Sequence, residues 1–138
     1  MKLDHDRIRD KLQDIEKSLE RLNRFREGGR TNFLADEDSQ DIARSRLLTA
    51  IEAALNICFH VTAKKLKQIP EDYGDCFRNI GAANLIDPLL AGRLADMARF
   101  RNRIVHLYWD IDYGDVYDII ENHLTDLEDF TAQIADLL

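Results

Sequence analysis

Residues 97–112 read MARFRNRIVHLYWDID, and their pattern decides how the chain folds. At about 100° per residue, with Arg101 set at zero, Leu90, Leu94, Met97, Ile104 and Tyr108 fall within roughly 60° of it, as on a helix with one packed face. Asp87-Pro88 supplies the cap and first turn, so the helix is expected to run from Pro88 to about Tyr108. Arg101 therefore stands inside an apolar stripe. A guanidinium there has to be paired, open onto a groove or face another chain, because burying it alone is prohibitive. Pairing with an acid of the last helix is the plainest solution. His106 falls about 140° round from Arg101, on a flank shared with Asn102, Arg99 and Arg103, where Gly92 and Ala95 permit close approach of another helix. Asn102 and His106 are i, i+4 neighbours and can touch. One straight helix does not unite Arg101 with His106. They act together if the helix loosens near its end, or if a two-fold axis brings the same segment of a second subunit alongside, which makes a homodimer part of the expectation.

Outward from this helix the chain keeps the same character. Leu3, Ile8, Leu12, Ile15, Leu19, Leu22 and Phe25 form one amphipathic stripe that stops near Gly28-Gly29. Residues 28–40, GGRTNFLADEDSQ, have the chemistry of a loop, with Asp36, Asp38 or Ser39 as the cap of the next helix. From about Gln40 to Gln68 two stripes run side by side, Leu47, Ile51, Ala54, Cys58 and Val61 on one and Leu48, Leu55, Phe59 and Leu66 on the other. So wide an apolar surface implies burial on two sides, inside a bundle or against a second subunit; Pro70 ends it. A short helix is expected around Tyr73 to Ala83, with Phe77 and Ile80 inward. After WDIDYGD (109–115) a last helix uses Val116, Ile120, Leu124, Leu127, Phe130, Ile134 and Leu137. The expectation is an all-α protein, an antiparallel up-down bundle of four main helices plus one short helix, in a single domain over residues 1–138.

With 138 residues the chain can bury a core without disulfides or metal. A net charge of −7 argues against wholesale electrostatic binding of nucleic acid. The charge is uneven, however: residues 110–138 carry nine acids and no Lys or Arg, whereas residues 93–103 carry four Arg against the single Asp96. A local basic site on an acidic body fits that distribution. The mixed charges of residues 1–22 lack the apolar core of a signal peptide and no later run approaches a membrane span, so a cytoplasmic location is expected. Cys58 and Cys76 fit neither a zinc site nor a disulfide framework and read as reduced, partly buried small hydrophobes. His5, His60 and His123 lack the spacing of a metal site. No metal and no cofactor is expected, and His60 reads as a satisfied interface histidine.

With 13 Arg and 4 His in the chain, Arg-x4-His arises by chance about 0.4 times, and a Tyr two residues further on lowers this to roughly 0.01. The longer pattern, Arg101-x4-His106-x-Tyr108, together with AIEAALNICFHV (50–61), the NLID turn (84–87) and the acidic closing helix, resembles HEPN-domain proteins of the HepT type. These are the toxin half of HEPN/minimal-nucleotidyltransferase toxin–antitoxin pairs. The resemblance implies a bundle that dimerises so that two motifs form one cleft, and a metal-independent ribonuclease acting on cellular RNA. It implies that Arg101 and His106 are the catalytic pair, that Asn102 assists, and that Tyr108 is the tyrosine to which the partner nucleotidyltransferase antitoxin adds AMP. The residue chemistry agrees. RNA carries its own nucleophile in the 2′-hydroxyl, a histidine transfers protons near neutral pH, and an arginine holds a phosphate bidentately. Arg99-x6-His106 fits a looser form of the motif, and Arg99 and Arg103 read either as phosphate-steering residues or as a solvated face. The rival reading is a non-catalytic nucleotide-binding or docking subunit of a nucleotidyltransferase complex.

Overall fold

A computed structural model describes residues 2–138, which form seven α-helices and no strand. Asp4 caps α1 (His5–Gly28) by accepting from the Arg7 N–H, and Ile8, Leu12, Ile15, Leu19 and Leu22 bury its stripe against α3. Gly29, at φ 87°, stops the helix in a conformation that a side chain would strain. Where a loop is expected, the chain forms a short helix, α2 (Arg30–Leu34). Its single anchor is Phe33, buried among Phe25, Tyr113 and Tyr117. One buried ring in five residues leaves no periodicity for a sequence reading to detect.

Of the three candidate caps the chain uses Asp36, which accepts from the Asp38 N–H and the Ser39 hydroxyl, so α3 (Glu37–Val61) begins three residues before its expected start. The helix widens into one π turn over Thr62–Leu66 and stops at Lys67, left-handed at φ 53°, before Pro70 is reached. Both faces of α3 are covered within the one chain, by α1 on one side and by α4 and α5 on the other. Within Glu37–Leu66 a window of 18 residues reaches a mean hydropathy of 1.2, so the helix is long and apolar enough to pass as a membrane span, contrary to the sequence expectation. Most of that window is buried inside the bundle.

Asp72 caps α4 (Tyr73–Ala82), which turns Cys76, Phe77 and Ile80 inward. Cys58 and Cys76 are wholly buried rather than partly so, and their sulfurs face each other across the α3–α4 contact at 2.7 Å. Burial pushes the Cys58 thiol up, holding it protonated. Asp87 and Pro88 start α5 (Pro88–His106) as expected, but the helix ends two residues short of Tyr108. Leu107 leaves helical geometry at φ −130°, ψ 39°, and Tyr108–Asp110 make a 3₁₀ turn. The last helix is two, α6 (Tyr113–Asn122) and α7 (Leu124–Ala135), broken at His123. No Gly or Pro marks this break. It brings His123 Nδ1 to 3.3 Å from Asp126, whose buried carboxylate also accepts from Arg93 Nε of α5 at 2.8 Å. The apolar stripe survives the break, with Val116, Ile120, Leu124, Leu127, Phe130 and Ile134 all in the core.

Gly81 of α4 lies against Ala91 of α5, and a Cβ built on it would collide with the Ala91 methyl. Gly81→Ala is expected to cost about 1–3 kcal/mol through overpacking, read as a lower urea midpoint at unchanged slope. Gly92→Ala, where an added Cβ meets nothing within 4 Å, shows no such loss.

His60 is buried at the α1–α3 contact, where its Nε2 accepts the Asp4 backbone N–H at 2.9 Å, so the ring is neutral in the fold. Burial, then Arg7 and Lys64, depress its pKa below the ordinary 6.5, with Asp4 opposing. The unfolded chain therefore takes up a proton that the folded chain refuses, and the contribution to stability is present above pH 6.5 and lost as pH falls below it. His60→Gln is expected to flatten the fall in urea midpoint between about pH 7 and pH 5. A slope equal to that of the parent protein contradicts the assignment.

Candidate active site at the end of helix α5

The last two turns of α5 carry Arg99, Arg101, Asn102, Arg103 and His106, and the turn beyond them carries Tyr108. Arg101 lies on the packed stripe as the wheel requires, its side chain 15% exposed. Its partner is not an acid of the closing helices. Nε at 3.1 Å and Nη2 at 2.8 Å both donate to Glu52 Oε1 of α3, and the guanidinium lies 4.8 Å from the centroid of the Tyr73 ring of α4. Nη1 donates to Asn102 Oδ1 at 3.2 Å, so Asn102 is joined to its chain neighbour Arg101. Glu52, Leu55, Asn56, Phe59 and Tyr73 line a shallow cleft of about 210 Å³ beside Arg101.

His106 is the final residue of α5 and is exposed. The helix remains regular up to it, which removes a loosened helix end as a way to join the two residues. Five positions of α-helix separate Arg101 from His106 by about 140° of rotation and ~7.5 Å of rise. They are not brought together within one chain. Arg99 and Arg103 are exposed, as His106 is. Arg99 stands 3.8 Å from Asp96, and Arg103 stands 3.8 Å from Asp115 with its guanidinium 5.8 Å from the Phe100 ring centroid. Exposed pairs of this length are weak and leave both cations available to an anion. A second cavity of about 200 Å³, lined by Arg93, Asp96, Met97, Phe100, Ile119 and His123, includes none of Arg101, Asn102 and His106.

The early end of α5 decides the position of Tyr108. On a continued helix its ring would lie over the packed stripe; on the 3₁₀ turn it is 61% exposed, edge-on to Trp109, itself 71% exposed. Val105 and Leu107 add exposed apolar surface on either side of His106. Glu52 and Tyr73 were not singled out from the sequence. A signal existed for Glu52, which is the single acid between Asp41 and Glu71 in an otherwise apolar and basic stretch. Nothing local marks Tyr73.

Fold and site together define a helical-bundle protein that presents an Arg-Asn-x3-His-x-Tyr segment at an exposed helix end. The chain belongs to the HepT-like ribonuclease family, whose pattern it matches over residues 15–134. It is 29% identical over 126 residues to the mRNA nuclease HepT of Shewanella oneidensis, covering 91% of this chain and 94% of that one. It is 28% identical over 131 residues to the tRNA nuclease HepT of Aphanizomenon flos-aquae, covering 95% of this chain and 89% of that one. Among solved structures it superposes on a tri-AMPylated Shewanella oneidensis HEPN toxin in complex with its MNT antitoxin. The TM-score is 0.87 at 28% identity, over 99% of both chains.

Proposed function

We propose that this protein is the toxin of a toxin–antitoxin pair, a cytoplasmic endoribonuclease that cuts cellular RNA without a metal ion and is silenced when a partner nucleotidyltransferase adds AMP to Tyr108. The observation that carries the reading is the intact Arg101-Asn102-x3-His106-x-Tyr108 segment at the exposed end of α5, in a chain of this family. The relatives support it: two are nucleases of mRNA and tRNA, and the solved structure it matches is of a tri-AMPylated toxin in complex with an MNT antitoxin.

Because Arg101 and His106 diverge on a regular helix, the working site is shared between two copies of the chain, with the α5 ends facing each other. His106 of one copy takes the proton of the RNA 2′-hydroxyl as its oxygen attacks phosphorus, and His106 of the other gives a proton to the departing 5′-oxygen. Arg101 holds the non-bridging oxygens as charge builds on them. Asn102 assists through its bond to Arg101, and Arg99 and Arg103 draw the RNA backbone toward the cleft. The exposed Val105, Leu107 and Trp109 supply apolar surface for the second copy or for the nucleotidyltransferase. AMP on Tyr108, two residues beyond His106, crowds the cleft and puts negative charge where the RNA phosphate must sit.

Purified protein is expected to cleave RNA in the presence of EDTA. Arg101→Ala and His106→Ala are each expected to lose at least ~100-fold in rate while helical circular dichroism is kept. Specific activity should fall on dilution in step with the dimer fraction measured by sedimentation; constant activity in monomers refutes the shared site. Peptide mass spectrometry of the toxin co-expressed with its nucleotidyltransferase should find mass added in AMP units on Tyr108. An unmodified peptide from an inactive complex would mean that occlusion alone silences the toxin.

A further inference from the structure

We infer that Glu52 and Tyr73 are positioning residues for Arg101, which together restrict it to a single orientation toward the scissile phosphate. The inference rests on the reading of Arg101 as the phosphate-binding cation. A guanidinium has five N–H donors. Glu52 Oε1 takes two of them, from Nε at 3.1 Å and Nη2 at 2.8 Å, and Asn102 Oδ1 takes a third, from Nη1 at 3.2 Å. Since one carboxylate oxygen receives both Nε and Nη2, the side edge of the fork is occupied. One N–H on each Nη is left to donate to phosphate oxygens.

Tyr73 fixes the remaining freedom. Its ring face lies 4.8 Å from the guanidinium carbon, a cation–π contact that holds the head of the side chain. The Tyr73 ring is itself held edge-on by Phe59 of α3 at 5.8 Å. Arg101 thus reaches the site already oriented by α3 and α4, and does not lose the rotamer entropy of a long free side chain when RNA arrives.

The sign of the effect separates this role from simple charge. A carboxylate beside a phosphate-binding arginine repels RNA, so removing it should leave binding unchanged or improve it. Orientation, by contrast, is needed in the transition state, so its loss appears in kcat. Glu52→Ala is therefore expected to lower kcat by roughly 10- to 100-fold with KM equal to or below that of the parent protein. Glu52→Gln, which keeps an acceptor oxygen, should recover most of the lost rate. Glu52→Ala combined with Arg101→Ala should be no slower than Arg101→Ala alone, because Glu52 acts through Arg101. Thermal unfolding of Glu52→Ala close to that of the parent separates the effect from folding. Parent-like kcat in Glu52→Ala beside an inactive Arg101→Ala overturns the positioning role and leaves the active site standing. Full activity in both variants overturns the assignment of Arg101 itself.

Discussion

Every other helix of the bundle packs against α3, and that single constraint organises the molecule. A helix surrounded in this way has to be apolar almost all round, and Ala43, Leu47, Ala50, Ile51, Ala53, Ala54, Leu55, Ile57, Cys58 and Val61 meet the requirement. Polar groups on its central turns are confined to the narrow edge that α4 and α5 leave open. Glu52 and Asn56 stand there, and both line the cleft beside Arg101. The core helix thus contributes the one acid of its central turns to the place where the arginine of α5 emerges.

This arrangement explains how a cation is carried on a packed stripe. Arg101 is neither buried alone nor free in solvent: its stem lies among the apolar residues of α5, and its head finds a carboxylate and an aromatic face. Arg99 and Arg103, two positions away on either side, meet long, exposed ion pairs and, for Arg103, the Phe100 ring of the same helix. Three arginines within five residues therefore have different physical characters, one held by the fold and two presented to whatever approaches. The distinction arises from the helical period, because each step of two residues turns the side chain through about 200°.

The parts of the fold that repeat with the helical period were legible in the sequence. The stripes of α1, α3, α5 and the closing segment reached the core at most of the residues expected, with Phe25, Leu48, Phe59, Leu66 and Leu137 only partly buried and Tyr108 exposed, since each stripe buries one or more side chains per turn. What escaped reading depended on single contacts or on distant ones. Helix α2 rests on Phe33 alone, and the break at His123 lies within a stripe that continues undisturbed from Val116 to Ile134. The candidate residues Arg101, Asn102, His106 and Tyr108 could be named from the sequence, but their geometry could not. The partner of Arg101 lies 49 residues away on α3, whereas the acidic composition of residues 110–138 pointed to the closing helices instead.

The end of α5 has the largest consequence for function and the weakest local signal. Residues 104–108 carry no Gly or Pro, and an uninterrupted helix would place Tyr108 about 20° from Arg101, over the packed stripe. Leaving helical geometry at Leu107 leaves Tyr108 exposed while His106 stays on the helix two residues earlier. Under the proposed function His106 acts and Tyr108 is reached, roles with opposite needs, one for fixed orientation and the other for access. A change from α to 3₁₀ geometry between them satisfies both within three residues. The same turn exposes Leu107 and Trp109, so the surface that presents Tyr108 also carries exposed apolar area.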